Sequence, residues 1–501
     1  MIRYKPIAMH TFKTYLIVLT GFLLFAANAN AQQGQTFYYM DRLSQTTYMN
    51  PSVSSEYDIT VGGLLLPVVG QVPPTMYFNF SSNGFQYDDF IHFGTGDYSD
   101  SLVYDPENLI ETMRTTNHLH FQNHFDLLHF GIKTENDVYL TFNITEKMDY
   151  GLSLPRDLFA LAWYGNGYFM ENNDKVILDG LGFQFSHYRE IAGGFSTEIM
   201  DGLQIGGRAK ILFGMANAQT DVDELTLYTD PEDYTINANA DMSIQTNIPA
   251  VAMDYHNYGD SVDLDIITPD HVTFGDPDEM NYNESYYNAL SYPFNFSNPG
   301  FGIDLGASYE FLGDFTAYFS VNDLGFISWN SNPYILSTDG TFAFRGIEVD
   351  FFADEEEFNE SLEALEDSLL TTFVPSAEDN NYITWLPTDI YLGGKYDFHE
   401  KLDFGALYRM EFYRKTLMHS FTLSANSDIT NWASLHATYS MMNNKYNNIG
   451  FGFTLRGAFL QYYVVTDNLL ALMPQSTRNL NIRMGCNLVF GYKEIKSESL
   501  F

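Results

Sequence analysis

The chain has 501 residues, and its 24 Lys and Arg face 64 Asp and Glu for a formal charge of −40 at pH 7. That balance leaves no basis for nucleic-acid binding, which needs concentrated Lys and Arg against phosphate. The single cysteine, Cys486, excludes an intrachain disulfide and a Cys₂His₂-type zinc site.

Residues 1–31 read as a secretory signal peptide. Arg3, Lys5 and Lys13 form a basic start, Leu16 to Ala27 an apolar stretch, and Ala29-Asn30-Ala31 a small-x-small cleavage pattern. The stretch is too short for a spanning helix, which needs ~20 apolar residues. The alternative, an uncleaved anchor, is therefore the weaker reading, and the mature chain is expected to start at Gln32. No later segment has the length and apolarity of a membrane helix. If the mature chain crosses a bilayer, it must do so as a closed barrel, because hydrocarbon offers backbone groups no partner.

Residues 32–82 are expected to hold the first strands and a segment that either adds to the wall or folds into the lumen as a plug. From residue 83 to 492 the pattern is that of a β-barrel with large loops. Val138, Leu140, Phe142 and Ile144 alternate with Tyr139, Thr141, Asn143 and Thr145. Leu203, Ile205, Ile211 and Phe213 lie opposite Gln204, Arg208 and Lys210. Leu402, Phe404, Ala406, Tyr408, Met410 and Phe412 alternate with Asp403, Gly405, Arg409 and Glu411. The same period-two pattern runs from Ile449 to Arg456 and from Leu480 to Gly491.

A soluble sandwich alternates in the same way with its apolar face turned inward. Two features favour a transmembrane antiparallel barrel. The strands exceed the ~5–6 residues usual in globular proteins, and short and long connections alternate. Short turns are expected near 134–136, 200–202, 312–314, 399–401, 428–430 and 458, on the periplasmic side. Long extracellular connections are expected over 83–117, 149–179, 216–298, 328–388, 442–447 and 468–478. This reading gives about fifteen strands. Both chain ends should be periplasmic, so the number should be even, 14 or 16.

Two loops carry patterns of their own. Phe358, Leu362, Leu365 and Leu369 share one helical face within 353–374, amid many acidic residues. Within 216–298, Leu225 to Thr229 and Tyr234 to Ile244 flank the turn Asp230-Pro231-Glu232-Asp233 as a hairpin. Residues 155–167 suggest a short rim helix or an apolar contact site, and 493–501 a C-terminal tail.

No catalytic constellation is present: no GxSxG, no P-loop, no HExxH. His118, His120 and His124 share strand parity, a spacing open to metal ligation, but no carboxylate is fixed beside them, and polar wall residues are the simpler reading. Asp260, Asp263, Asp265, Asp276 and Asp278 match no EF-hand spacing and read as solvated loop acids. The expected lumen face carries Arg208, Lys210, Asp304, Glu310, Lys395, Arg409, Glu411, Arg456 and Arg483, mixed charges suited to pairing across the interior or to lining a polar path. No cofactor and no enzymatic activity is expected.

Met49-Asn-Pro51, Asp126-Leu-Leu-His-Phe-Gly131, Gly165-Asn166, Gly206-Gly-Arg-Ala-Lys-Ile-Leu-Phe-Gly214, Asn298-Pro-Gly-Phe-Gly-Ile-Asp-Leu-Gly-Ala-Ser-Tyr309 and Val321-Asn-Asp-Leu-Gly-Phe-Ile-Ser-Trp329 occur in that order. Together they resemble an uncharacterised outer-membrane barrel family of Bacteroidota. That family is similar to the long-chain fatty-acid transporter barrels and to the barrel accessories of type IX secretion. The resemblance implies an outer-membrane location, about 14 strands and an N-terminal plug. It makes outer-membrane lipid, a hydrophobic small molecule and secretion-machinery proteins the candidate partners. It carries over no functional residue and assigns no substrate. The tail 493–501 does not resemble a type IX sorting domain. Transport of a small hydrophobic molecule is the expectation, and a scaffold or accessory of a secretion or surface-attachment machine is the alternative.

Overall fold

A computed structural model describes residues 34–63, 75–84, 86–94, 101–247, 296–331, 333–345, 372–373, 376–378, 380–413, 416–442, 445–472 and 479–492. The expected signal peptide, the helix face Phe358 to Leu369, the aspartates between 260 and 278, and the tail 493–501 lie outside these residues.

The wall consists of β1 (Ile59–Gly62, resuming at Met76–Ser82), β2 (Thr116–Lys133), β3 (Tyr139–Pro155), β4 (Gly182–Met200), β5 (Leu203–Thr229), β6 (Asn298–Phe311) and β7 (Phe315–Trp329). It continues through β8 (Tyr382–Trp385, resuming at Thr388–His399), β9 (Leu402–Tyr413), β10 (Thr416–Thr430), β11 (Ala433–Met442), β12 (Lys445–Gly457), β13 (Leu460–Thr466) and β14 (Asn479–Phe490). Each is antiparallel to its neighbours. Both segments of β1 pair with β14 on one edge and β2 on the other, which closes a 14-stranded barrel. The even number of 14 expected from the sequence is the number in the barrel; the raw count of about fifteen includes one strand too many.

Which way the faces point decides the environment. Phe142, Ile211, Phe301, Leu305, Phe319, Leu392, Leu423 and Ile449 are exposed on the outer surface. The alternating positions Asn143, Thr145, Arg208, Lys210, Asp304, Ser320, Thr422 and Asn448 are buried. A soluble sandwich has the opposite arrangement. A closed wall with apolar residues outside and polar residues inside belongs in lipid, where closure leaves no sheet edge unpaired. Near the short-turn end, neighbouring rings of Tyr309, Phe311, Phe315, Tyr396, Phe398 and Phe404 form a row across β6 to β9. Such a row suits the boundary between hydrocarbon and water.

The short turns fall where alternation breaks, between β2 and β3, β4 and β5, β6 and β7, β8 and β9, β10 and β11, and β12 and β13. Both β1 and β14 meet that same end, where Ile59 pairs with Phe490. Three expected long connections are corrected. β11 runs to Met442 and β12 starts at Lys445, which pairs with Met442, so 442–447 is not a long connection. β3 continues to Pro155, and β5 runs on to Thr229 as one arm of a hairpin whose second arm is Ile236–Asn247. A further strand, Tyr334–Phe344, extends that sheet beyond the barrel.

Helices α1 (Pro106–Thr112), α2 (Arg156–Tyr164) and α3 (Asn166–Glu171) lie in the connections at this outer end. The Asp105 carboxylate caps α1 by accepting from the Asn108 N–H at 3.0 Å. Ile110, Ala160, Phe169 and Val176 join in one apolar cluster, so the 155–167 segment is a rim helix pinned by its buried face. Trp163, Tyr164 and Tyr168 remain exposed.

Leu305 tests the inside-out reading. Leu305→Arg, near the middle of β6, should lower stability in bilayers by about 2–4 kcal/mol, the cost of a cation on the lipid face at mid-depth. Urea unfolding in liposomes measures it, and no change would contradict lipid contact at this position.

Candidate functional site

Residues 34–58 fill the lower part of the lumen. The Asp467 carboxylate accepts from the Thr36 N–H at 2.6 Å and the Gln35 N–H at 3.1 Å. The Tyr39 hydroxyl lies 3.1 Å from the Gly394 carbonyl and 2.8 Å from that of Ala406, on β8 and β9. Ser44 meets Tyr139 and His129 at 2.6 Å each, and the Gln45 and Asn487 amides exchange two hydrogen bonds. Ser320 and Asn322 both donate to the Met49 carbonyl, and Ser196 to that of Ser52. These partners stand on strands all round the barrel, so the segment lies within it.

Close approach is set by two glycines that face each other across β5 and β6. A Cβ on Gly206 would stand 1.9 Å from the Pro51 carbonyl oxygen, and one on Gly306 2.3 Å from the Asn50 amide oxygen. Three of the sequence motifs thus meet at one place: Met49-Asn-Pro51 lies against the glycines of the β5 and β6 motifs.

Beside this contact, six buried or partly buried charges join five adjacent strands. Arg208 holds Asp304 at 2.7 Å, Glu190 at 3.1 Å and the Asn143 side-chain oxygen at 2.6 Å. Lys210 holds Asp304 at 2.7 Å and Asp323 at 2.8 Å. Lys147 reaches Glu190 at 2.8 Å and Asp323 at 3.4 Å. Three cations thus meet three carboxylates, and neutrality with multiple hydrogen bonds is what makes burial of such charges tolerable. The plug joins this network, since the Arg208 guanidinium lies 4.7 Å from the Tyr48 ring centroid. Burial, reinforced by Asp126, lifts the Tyr48 hydroxyl well above its ordinary value, so it remains neutral beside Asp126 and His129.

Of the other sequence candidates, Arg409 binds Asp389 at 2.6 Å and Glu411 at 3.0 Å on β8 and β9. Lys395 lies 3.3 Å from Asp41 of the plug. Arg456 stacks on Tyr492 at the short-turn end. Arg483 lies between the rings of Phe37 and Tyr77. Glu310 is a correction: it has lumen parity but is exposed at the end of β6, beside the turn, outside the network. At the same end, burial pushes the Glu56 carboxyl above its ordinary value; Arg42, 3.6 Å away, opposes the shift, and Asp428 adds to it.

Sequence reading missed Lys147, Glu190 and Asp323. Glu190 lies on β4, which the alternation analysis passed over. Asp323 follows inward-facing Asn322, so strict alternation sends it to the lipid. A bulge opposite Asp304, with Asp323 at φ +58°, turns it inward, and its N–H donates to Asp304 at 2.7 Å. The histidines separate into unlike roles: His118 bonds Ser153 at 2.8 Å, His120 stands 4.0 Å from Asp149, and His124 packs on Tyr77. Among the described residues, no group of three or more His, Cys, Asp or Glu is placed to hold a metal.

Two spaces remain. An inner chamber of about 90 Å³ above the plug is lined by Tyr48, Tyr77, Lys147, Asn322, Asp389 and Arg483, among others. An outer cavity of about 660 Å³ is lined by Thr116, His118, Ser153 and Gln219 and by Ile383, Trp385 and Phe412. Pro387, at the break in β8, lines both.

Three substitutions test this geometry. Lys210→Met should destabilise the barrel by about 3–5 kcal/mol, because Asp304 and Asp323 lose a buried partner; Glu310→Gln should leave unfolding in detergent unchanged. Gly306→Val should keep the barrel but unseat residues 49–52, seen as new protease cleavage there and raised conductance in planar bilayers.

Among solved structures, the chain is similar to the toluene transporter TbuX of Ralstonia pickettii (7% identity, 89% of this chain and 94% of that one, TM-score 0.39). It is also similar to a Pseudomonas aeruginosa FadL homologue (8%, 92% and 99%, 0.41) and to the toluene transporter TodX of Pseudomonas putida (8%, 92% and 94%, 0.35). No curated protein matches it. Residues 64–467 match the model of a family of unknown function, DUF5723, and with most of its length inside that match the chain belongs to this family.

Proposed function

We propose that this barrel is an outer-membrane transporter that admits a small hydrophobic molecule from the outer mouth. The observation that carries the reading is the composition of the outer cavity. One side is formed by lumen-facing Thr116, His118 and Ser153; the other by Ile383, Trp385 and Phe412, which strand parity and exposure place on the lipid side. The outer segment of β8 pairs with β7 alone among the described residues, and β9 ends its pairing with β8 at Phe412. The cavity therefore lies where the wall is thinnest, between the mouth and the membrane. An apolar solute taking this course leaves without crossing the charges around Lys210, whose desolvation it could not offset. The resemblance of the sequence to a barrel family that is itself similar to the fatty-acid transporters points the same way.

The second reading, a non-transport scaffold, is favoured by the plug and ion network, which occupy much of the lumen among the described residues. Uptake separates the two. Cells carrying the protein should accumulate labelled monoaromatic or acyl probes faster than cells without it, and Gln219→Trp, which fills the outer cavity, should remove most of the gain. Equal uptake with and without the protein would reject transport and favour the scaffold.

A further inference from the structure

The inner chamber presents different unsatisfied groups on two sides. On β14, β1, β2 and β3 one cross-strand row carries Arg483, Tyr77, His124 and Lys147, paired in register. Lys147 is committed to Glu190 and Asp323. Arg483 forms no ion pair among the described residues. It is only 8% exposed, its Nε has no partner, and among the described residues no hydrogen bond or ion pair joins its guanidinium to a carboxylate. It rests instead between Phe37 and Tyr77, whose centroids are 4.3 and 4.5 Å away. The Tyr77 hydroxyl is likewise buried without a partner. Arginine does not shed its proton in proteins, so this is a standing buried charge, which ordinarily requires a counter-charge.

Halfway round the fourteen strands, on β7 to β9, the unsatisfied group is an acceptor beside two carboxylates. The Asn322 side-chain oxygen is buried without a partner, its amide already donating to Met49. Beside it on the wall, Asp389 and Glu411 share Arg409. All of these groups except Arg409 line the same chamber. A simple anion would satisfy Arg483 but also meet Asp126 and Asp149, which line the chamber too. A simple cation would leave Arg483 as it is. A molecule with a charge of each sign answers both walls. The chamber is small, about 90 Å³, so the molecule must be compact.

We propose that the inner chamber is a binding site for a compact zwitterion of the amino-acid class. Its carboxylate takes the Arg483 guanidinium and the Tyr77 hydroxyl, and its ammonium group donates to Asn322 and to the Asp389–Glu411 pair. The site is separate from the outer cavity and does not depend on hydrophobic transport.

Calorimetric titration of the full mature chain in detergent tests it, with glycine, β-alanine and 4-aminobutyrate as probes of increasing charge separation. Acetate and methylammonium serve as single-charge controls. At least one zwitterion should bind ten-fold or more tighter than either control. Arg483→Lys and Asn322→Leu should each weaken that binding ten-fold or more while the barrel keeps its heat-modifiable mobility on gels. The proposal is overturned if none of the three binds, if acetate binds as tightly as the best of them, or if both folded variants bind unchanged. Because the readout is binding and the Gln219→Trp readout is uptake, either proposal can fail without the other.

Discussion

Hydrocarbon offers no hydrogen-bond partner to a peptide group, and the rest of this structure follows from that constraint. Fourteen strands must close on themselves, so β1 is held between β14 and β2. Once closed, the outer face has to be apolar and the polar residues have only the interior. A 14-stranded lumen is wider than side chains alone can fill, since diameter grows with strand number. The chain fills it by returning residues 34–58 to the inside and by placing charges on the wall.

The plug and the wall are joined by polar contacts rather than by an oily core. Thr36, Ser44, Gln45 and the Met49 carbonyl each bond a different part of the wall, with small apolar clusters such as Phe37 with Tyr463 between them. Each buried hydrogen bond stabilises modestly when made and costs more when a partner is left behind. Such an interface therefore fixes the position of the plug more firmly than its net energy suggests. The charged group around Lys210 acts in the same way on the wall, joining β3 to β7 across the barrel's inner surface.

The same arrangement separates two kinds of space. The outer cavity touches both the mouth and the lipid-facing side of β8 and β9, and apolar side chains line part of it. The inner chamber lies against Gln45, Tyr48 and Met49 of the plug and carries charges of both signs. Solutes suited to one are unsuited to the other, because an apolar molecule cannot replace the solvation of Arg483, and a zwitterion gains little beside Trp385 and Phe412.

By itself the sequence determined the fold class, the strand faces and most turns, because period-two alternation and turn residues are local properties of the chain. The faces of β3, β9 and β14 and the turns at 201, 313, 400 and 458 are all legible this way. The closing strand was not, since β1 is two short segments whose partners come from opposite ends of the sequence. The tertiary structure alone decided which polar residues meet. Strand parity put Arg208, Lys210 and Asp304 on one face but gave no pairing, placed Glu310 with them although it lies at the rim, and sent Asp323 to the wrong side. A bulge and a register are set by neighbours distant in sequence, so no local pattern records them. The solitude of Arg483 is likewise a statement about what surrounds it, which only the folded barrel defines.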